Sequence, residues 1–175
     1  MRKIYIVLTY TGTPLSKLIR LYTREEYSHV SIALDEDLGR MYSFGRLKPY
    51  NAFIGGFVRE GVNFGTFRRF KNTKCSIKCI EITDDQYYEL KRIIKKFEKK
   101  KKIYSFNVIG LFATALNIKV QKENSFYCAE FVKYALEESH IVSALPDLIK
   151  PEDFHNLEIS VPVYEGLLRK YAVTK

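Results

Sequence analysis

The stretch NSFYCAEFVKYALEES, residues 124–139, places Cys128 just after Asn124 and Ser125. Either of those can cap a helix by accepting a hydrogen bond from its first free N–H groups. Phe131, Val132, Ala135 and Leu136 follow at helical spacing, which predicts an amphipathic helix with Cys128 in its first turn. There the positive end of the helix dipole favours a thiolate, the form in which sulfur attacks a carbonyl. Free cysteine is also among the most buried residue types, so Cys128 reads equally as a small core hydrophobe unless the chain supplies a base.

Three histidines are available for that task. His140 falls at the end of the cysteine helix, where a cation suits the negative end of the dipole. His155 lies in a loop-like stretch, KPEDFHNLE, with no chemical partner beside it. His29 opens SHVSIAL, which alternates as a strand and puts His29, Ser31 and Ala33 on one face. The turn DEDLGR leads to a second strand, MYSFG, at 41–45. Pairing residue 34 with residue 40 sets Ser43 opposite Ser31, on the face of His29 and diagonal to it. A histidine with a hydroxyl neighbour, facing a thiol at a helix N-terminus, is the arrangement nucleophilic cysteine catalysis needs.

The elements that must position these residues read as α+β, with antiparallel strands gathered in the first half of one domain spanning 1–175. Residues 4–8 form a first buried strand, and 14–22 a helix with Thr13 as cap and Pro14 at its first position. Residues 46–66 carry glycines among Tyr50, Phe53, Phe57 and Phe64 and read as a long loop or irregular ribbon. A strand at about 75–82 is followed by a capping box over Thr83 to Gln86 and a helix to about Lys100. Residues 107–117 read as a short buried helix, and the C-terminal region as connecting structure with short strands.

Composition narrows the classes. At 46% hydrophobic residues the chain is globular rather than disordered. Cys75 and Cys79 are four apart on an alternating strand, roughly 13 Å, too far for a disulfide. No second Cys or His pair stands at a metal-site distance from them, so two core cysteines of a reducing cytosol is the preferred reading, with no metal and no cofactor expected. The apolar run after Arg2 and Lys3 is too short for a signal peptide, and no segment approaches a membrane span. A cytoplasmic protein is expected. The formal net charge is +9, and eight basic residues lie between Lys91 and Lys102 against one acid, Glu98. Tyr87, Leu90, Ile93, Ile94 and Phe97 form an apolar stripe opposite those lysines. The charged side is therefore either a solvated face or a contact for an anionic membrane surface, which would make the protein peripheral there. No motif for specific nucleic-acid recognition accompanies the charge.

SHVSIAL, MYSFGR, and YSFN ahead of FYCAEFVKYALEE together resemble the circularly permuted, papain-like NlpC-type cysteine hydrolases, the branch related to lecithin:retinol acyltransferase-like proteins. In that branch the histidine strand precedes the cysteine helix, as His29 precedes Cys128 here. The resemblance covers about residues 4–140 and implies a permuted papain-like fold, with an antiparallel sheet or small barrel packed on helices. It implies Cys128 as nucleophile and His29 as base. The family's third position, often His or Glu on the strand after the histidine, is occupied by Ser43. A hydroxyl can accept the Nδ1–H bond that orients the ring but brings no charge to hold an imidazolium. Tyr104 resembles a tyrosine that members place near the thiol. The backbone N–H of Cys128 would donate to an oxyanion.

The function expected is thus a thiol hydrolase or acyltransferase that cleaves an amide or ester through a Cys128 thioester. Its substrate would be a peptide or amide, or a lipid cradled by the aromatic, glycine-rich 50–67 segment and the basic helix. The alternative is a non-catalytic lipid- or anion-binding module of the same fold, to which Ser43 in the third position lends weight.

Overall fold

The computed structural model describes the chain except residues 49, 50, 117, 121 and 172–175, and except the side chains at 48, 51–53 and 115. Tyr50 and the Phe53 side chain, counted above in the aromatic segment, lie outside the described residues. In chain order the elements are β1 (Arg2–Tyr10), α1 (Pro14–Thr23), β2 (His29–Ala33), β3 (Met41–Lys48), β4 (Asn51–Glu60), α2 (Gly65–Arg69), β5 (Lys74–Ile82) and α3 (Asp84–Lys99). They continue with β6 (Ser105–Phe106), α4 (Val108–Ala115), β7 (Ser125–Phe126), α5 (Cys128–Glu138), a 3-10 turn (Pro151–Phe154), β8 (Val161–Leu167) and α6 (Leu168–Tyr171).

Six strands form one sheet in the order β4-β3-β2-β1-β5-β8, and every neighbouring pair is antiparallel. The fold is therefore α+β. Alternation along β1 explains its central place. Ile4, Ile6 and Leu8 enter one buried cluster with Val30, Ile32, Phe44, Leu90 and Phe131. Tyr5 and Val7 enter a second one with Ala33, Met41, Cys75, Ile77 and Phe67. A strand buried on both faces belongs in the middle of a sheet. The stripes read from the sequence hold the helices down: Leu90, Ile93, Ile94 and Phe97 of α3, and Phe131, Val132, Ala135 and Leu136 of α5, are all buried. Caps fix where α1 and α3 begin. Thr13 accepts from the Ser16 N–H with Pro14 next in line, and Thr83 and Gln86 exchange side-chain and backbone bonds.

Two expectations are corrected. Residues 46–66 are mostly sheet, because β4 runs back along β3 and pairs Gly45 with Gly56 and Met41 with Glu60. The glycines there mark close approach rather than a turn: a Cβ on Gly55 would lie 2.6 Å from the Phe106 Cβ. The C-terminal region, expected as connecting structure with short strands, places one of them as β8, an edge strand on β5 with Pro162 beside a register shift.

Candidate functional site

The end of the sheet where β2 begins gathers the titratable groups. The expected register of β2 against β3 is observed: the Leu34 N–H donates to the Arg40 carbonyl, and Ile32 and Ala33 face Tyr42 and Met41. Continuing that register puts Ser43 opposite Ser31 and Gly45 opposite His29. Gly45 lies beside the imidazole, where a Cβ would make ordinary contact with the His29 Cε1 at 3.5 Å.

Ser43 does not reach the ring. Its hydroxyl donates to the Val30 carbonyl at 2.6 Å, a bond within the sheet that closes the end of the β2–β3 ladder. His29 is instead held by Glu60, the last residue of β4, two strands away. The His29 Nε2 lies 3.0 Å from the Glu60 Oε2. The Ser31 hydroxyl donates to the same carboxylate oxygen at 2.6 Å. So the oriented nitrogen is Nε2, where the sequence reading had expected Nδ1, and the orienting group is a carboxylate rather than a hydroxyl. The third position lies one strand further along the sheet than expected. Glu60 does not emerge from the sequence alone, because residues 46–66 read as a long loop or irregular ribbon, in which no residue has a sheet face. A signal was present, since Glu60 is the sole acidic residue between Asp37 and Glu81.

Cys128 comes from the other layer. The helix α5 begins at Cys128 itself, with Tyr127 at the cap position in an extended conformation. The expected caps serve elsewhere: Asn124 adopts a left-handed turn, and Ser125 and Phe126 form β7, parallel to β6. The Tyr127 N–H donates to the Glu130 carboxylate at 3.0 Å, satisfying one donor at the helix start. The N–H groups of the first turn, including that of Cys128, have no partner within the helix. Cys128 and His29 line the same cleft, close enough for the thiol to act on the ring electrostatically. Glu60 and Ser31 both engage Nε2, and neither engages Nδ1.

Electrostatics follow from that arrangement. Burial opposes a charge on His29, but the Glu60 carboxylate and the nearby Cys128 outweigh it and raise the imidazole to about 10. Burial likewise opposes the Glu60 charge. Here His29, the Ser31 hydroxyl and Arg46 prevail and hold the carboxyl below its ordinary range. The site is an ion pair set into the sheet end, with His29 and Glu60 side chains only 19% and 10% exposed.

His29, Glu60 and Cys128 line a small cleft that opens to solvent. Thr11, Ser28 and Thr66 contribute hydroxyls to it, and Leu15, Phe106 and Leu111 contribute apolar surface. Arg46, half-buried, is also in its wall. Tyr104 is not. Its ring stacks on Phe97 with centroids 4.4 Å apart and meets Phe44 and Phe126 edge-on, so it belongs to the aromatic core, and Phe106 stands at the cleft. His140 ends α5 in a left-handed conformation, and His155 pairs with Glu152 at 3.0 Å. Neither lines the cleft.

No family profile matches the chain, and no curated protein gives a significant match. A crystal structure of the metalloprotein yiiX from Escherichia coli O157:H7 is similar in fold. It superposes with a TM-score of 0.57 over 95% of this chain and 98% of that one, at 13% identity. At that identity the likeness concerns the fold alone. Among the described residues here, no three His, Cys, Asp or Glu side chains form a set able to hold a metal ion. None of the helices among them is long and apolar enough to cross a membrane.

Proposed function

We propose that this protein is a thiol hydrolase or acyltransferase working through Cys128, His29 and Glu60, on a permuted papain-like arrangement in which the histidine strand precedes the cysteine helix. One observation carries the reading. A single imidazole is bonded to a buried carboxylate at 3.0 Å and lines one cleft with the thiol at a helix start. An imidazolium held in that position favours the thiolate beside it, and the carboxylate keeps the ring charged and oriented.

The Cys128 thiolate attacks the carbonyl carbon of an amide or ester, forming the C–S bond and an oxyanion within reach of the N–H groups that begin α5. His29 gives its Nδ1 proton to the leaving amine or alkoxide as the C–N or C–O bond breaks. Neutral His29 then takes a proton from water or another acceptor, which attacks the thioester; the C–S bond breaks, the acid or transferred acyl product leaves, and the thiolate–imidazolium pair is restored. Ser43 and Tyr104 have no part in these steps. A silent binding module would be favoured if the imidazole had only a hydroxyl for a partner. With Glu60 bonded to it, nothing in the cleft favours that alternative.

The test is the pH dependence of Cys128 alkylation by iodoacetamide, resolved from Cys75 and Cys79 by mass spectrometry, in the wild type and in His29→Ala. The reading expects Cys128 to react rapidly at neutral pH and to lose that reactivity in the variant. An ordinary thiol profile that is indifferent to His29 would remove the nucleophile from the mechanism.

A further inference from the structure

The outer faces of α1 and α4 carry apolar residues that the chemistry above does not use. On α1, Leu18, Leu21 and Tyr22 share one helical stripe and are exposed, Leu21 by 75%. On α4, Ile109, Phe112 and Leu116 share another, with Ile109 and Leu116 exposed by 73% and 64%. The stripes join where Tyr22 meets Phe112 edge-on, ring centroids 6.1 Å apart. An isolated exposed leucine needs no explanation, but a continuous surface of this kind does.

Two further observations say what covers it. The same two helices turn Leu15, Ile19 and Leu111 inward to line the Cys128 cleft, so the outer apolar face is continuous with the cleft wall. Neither helix contains an acidic residue. Lys17, Arg20 and Arg24 stand exposed around the α1 stripe, and Glu25 and Glu26 follow it, so the rim is basic on balance. Apolar side chains inside a basic rim fit the acyl boundary of a bilayer below a layer of anionic headgroups.

We infer that the α1–α4 face docks on an anionic bilayer, laying Leu21, Ile109 and Leu116 into its surface and opening the Cys128 cleft towards it. The docking does not depend on the thiol hydrolase reading. The surface is also separate from the lysine run of α3, which the sequence had offered as the membrane contact.

Co-sedimentation with vesicles of phosphatidylglycerol and phosphatidylcholine, compared with phosphatidylcholine alone, tests it in the wild type, Leu21→Ser/Ile109→Ser and Cys128→Ala. Both serine positions are exposed, so the double variant is expected to fold. The wild type and Cys128→Ala should bind the anionic vesicles equally, with binding weakening as salt is raised. The double variant should bind about tenfold more weakly or worse, since two large apolar groups no longer leave water. Undiminished binding by the double variant would overturn the inference, as would a wild type that binds neither vesicle. So would a wild-type dimer that the double variant converts to monomer without any vesicle binding, because the face would then belong to a second copy. If Cys128→Ala binds normally while Cys128 alkylation is indifferent to His29, the docking face stands and only the hydrolase reading falls.

Discussion

Cys75 and Cys128 are equally buried, at 0% and 2% exposure, yet they sit in different chemistry. Cys75 is the second residue of β5, in a cluster with Val7, Ile77 and Phe67. Burial, with the Glu165 charge adding to it, pushes its thiol up to about 12. Cys128 lies at the first residue of a helix and shares a cleft with an imidazole. Burial is the same for the two thiols; what differs is the group beside each. A strand offers a thiol no free backbone donor, because its donors are spent in the ladder. A helix start leaves donors free and can meet a side chain arriving from another layer.

The sharpest way to break this contrast is to delete each sulfur. Cys128→Ala should abolish turnover of any substrate found while preserving the fold. Cys75→Ala should leave turnover intact and cost about 1 kcal/mol of stability, a small cavity measured by urea unfolding. Turnover surviving in Cys128→Ala would erase the distinction. Next in size is Glu60→Gln, which keeps the shape but removes the charge that holds the imidazolium. A loss of about 10²- to 10⁴-fold in kcat is expected. Ser43→Ala should leave kcat unchanged and lose only the bond to Val30, about 1 kcal/mol. A larger kcat loss in Ser43→Ala than in Glu60→Gln would reverse the assignment of the third residue.

The smallest effect is thermodynamic. His29 is raised from 6.5 to about 10 in the folded protein, so its stabilisation is complete below 6.5 and is lost as the pH rises towards 10. Glu60 is depressed from 4.5, so its contribution is complete above 4.5 and is lost as the pH falls through its folded value. The difference in thermal midpoint between the wild type and His29→Gln should therefore be greatest between pH 4.5 and 6.5 and shrink by pH 10. A difference flat across that range would mean that the His29–Glu60 pair carries no net charge coupling.

Much of the frame was legible because it depends on local rules. The register of β2 on β3 followed from the length of the turn between them, and the starts of α1 and α3 from side chains that bond their own first N–H groups. The apolar stripes of α3 and α5 followed from the 3.6-residue period. Residues 46–66 misled for a physical reason: glycine weakens a strand in isolation, and only the approach of Phe106 across the sheet makes Gly55 necessary there.

By itself the sequence determined that Cys128 lies in the first turn of a helix and that His29 opens a strand on the face of Ser31. These are properties of periods within a few residues. Only the tertiary structure decided that the two line one cleft, and that Glu60 rather than Ser43 holds the imidazole. It also turned Tyr104 into the aromatic core. The partner of His29 is chosen by which strand lies two places across the sheet and by how far its side chain reaches. That depends on long-range pairing, which no local pattern encodes.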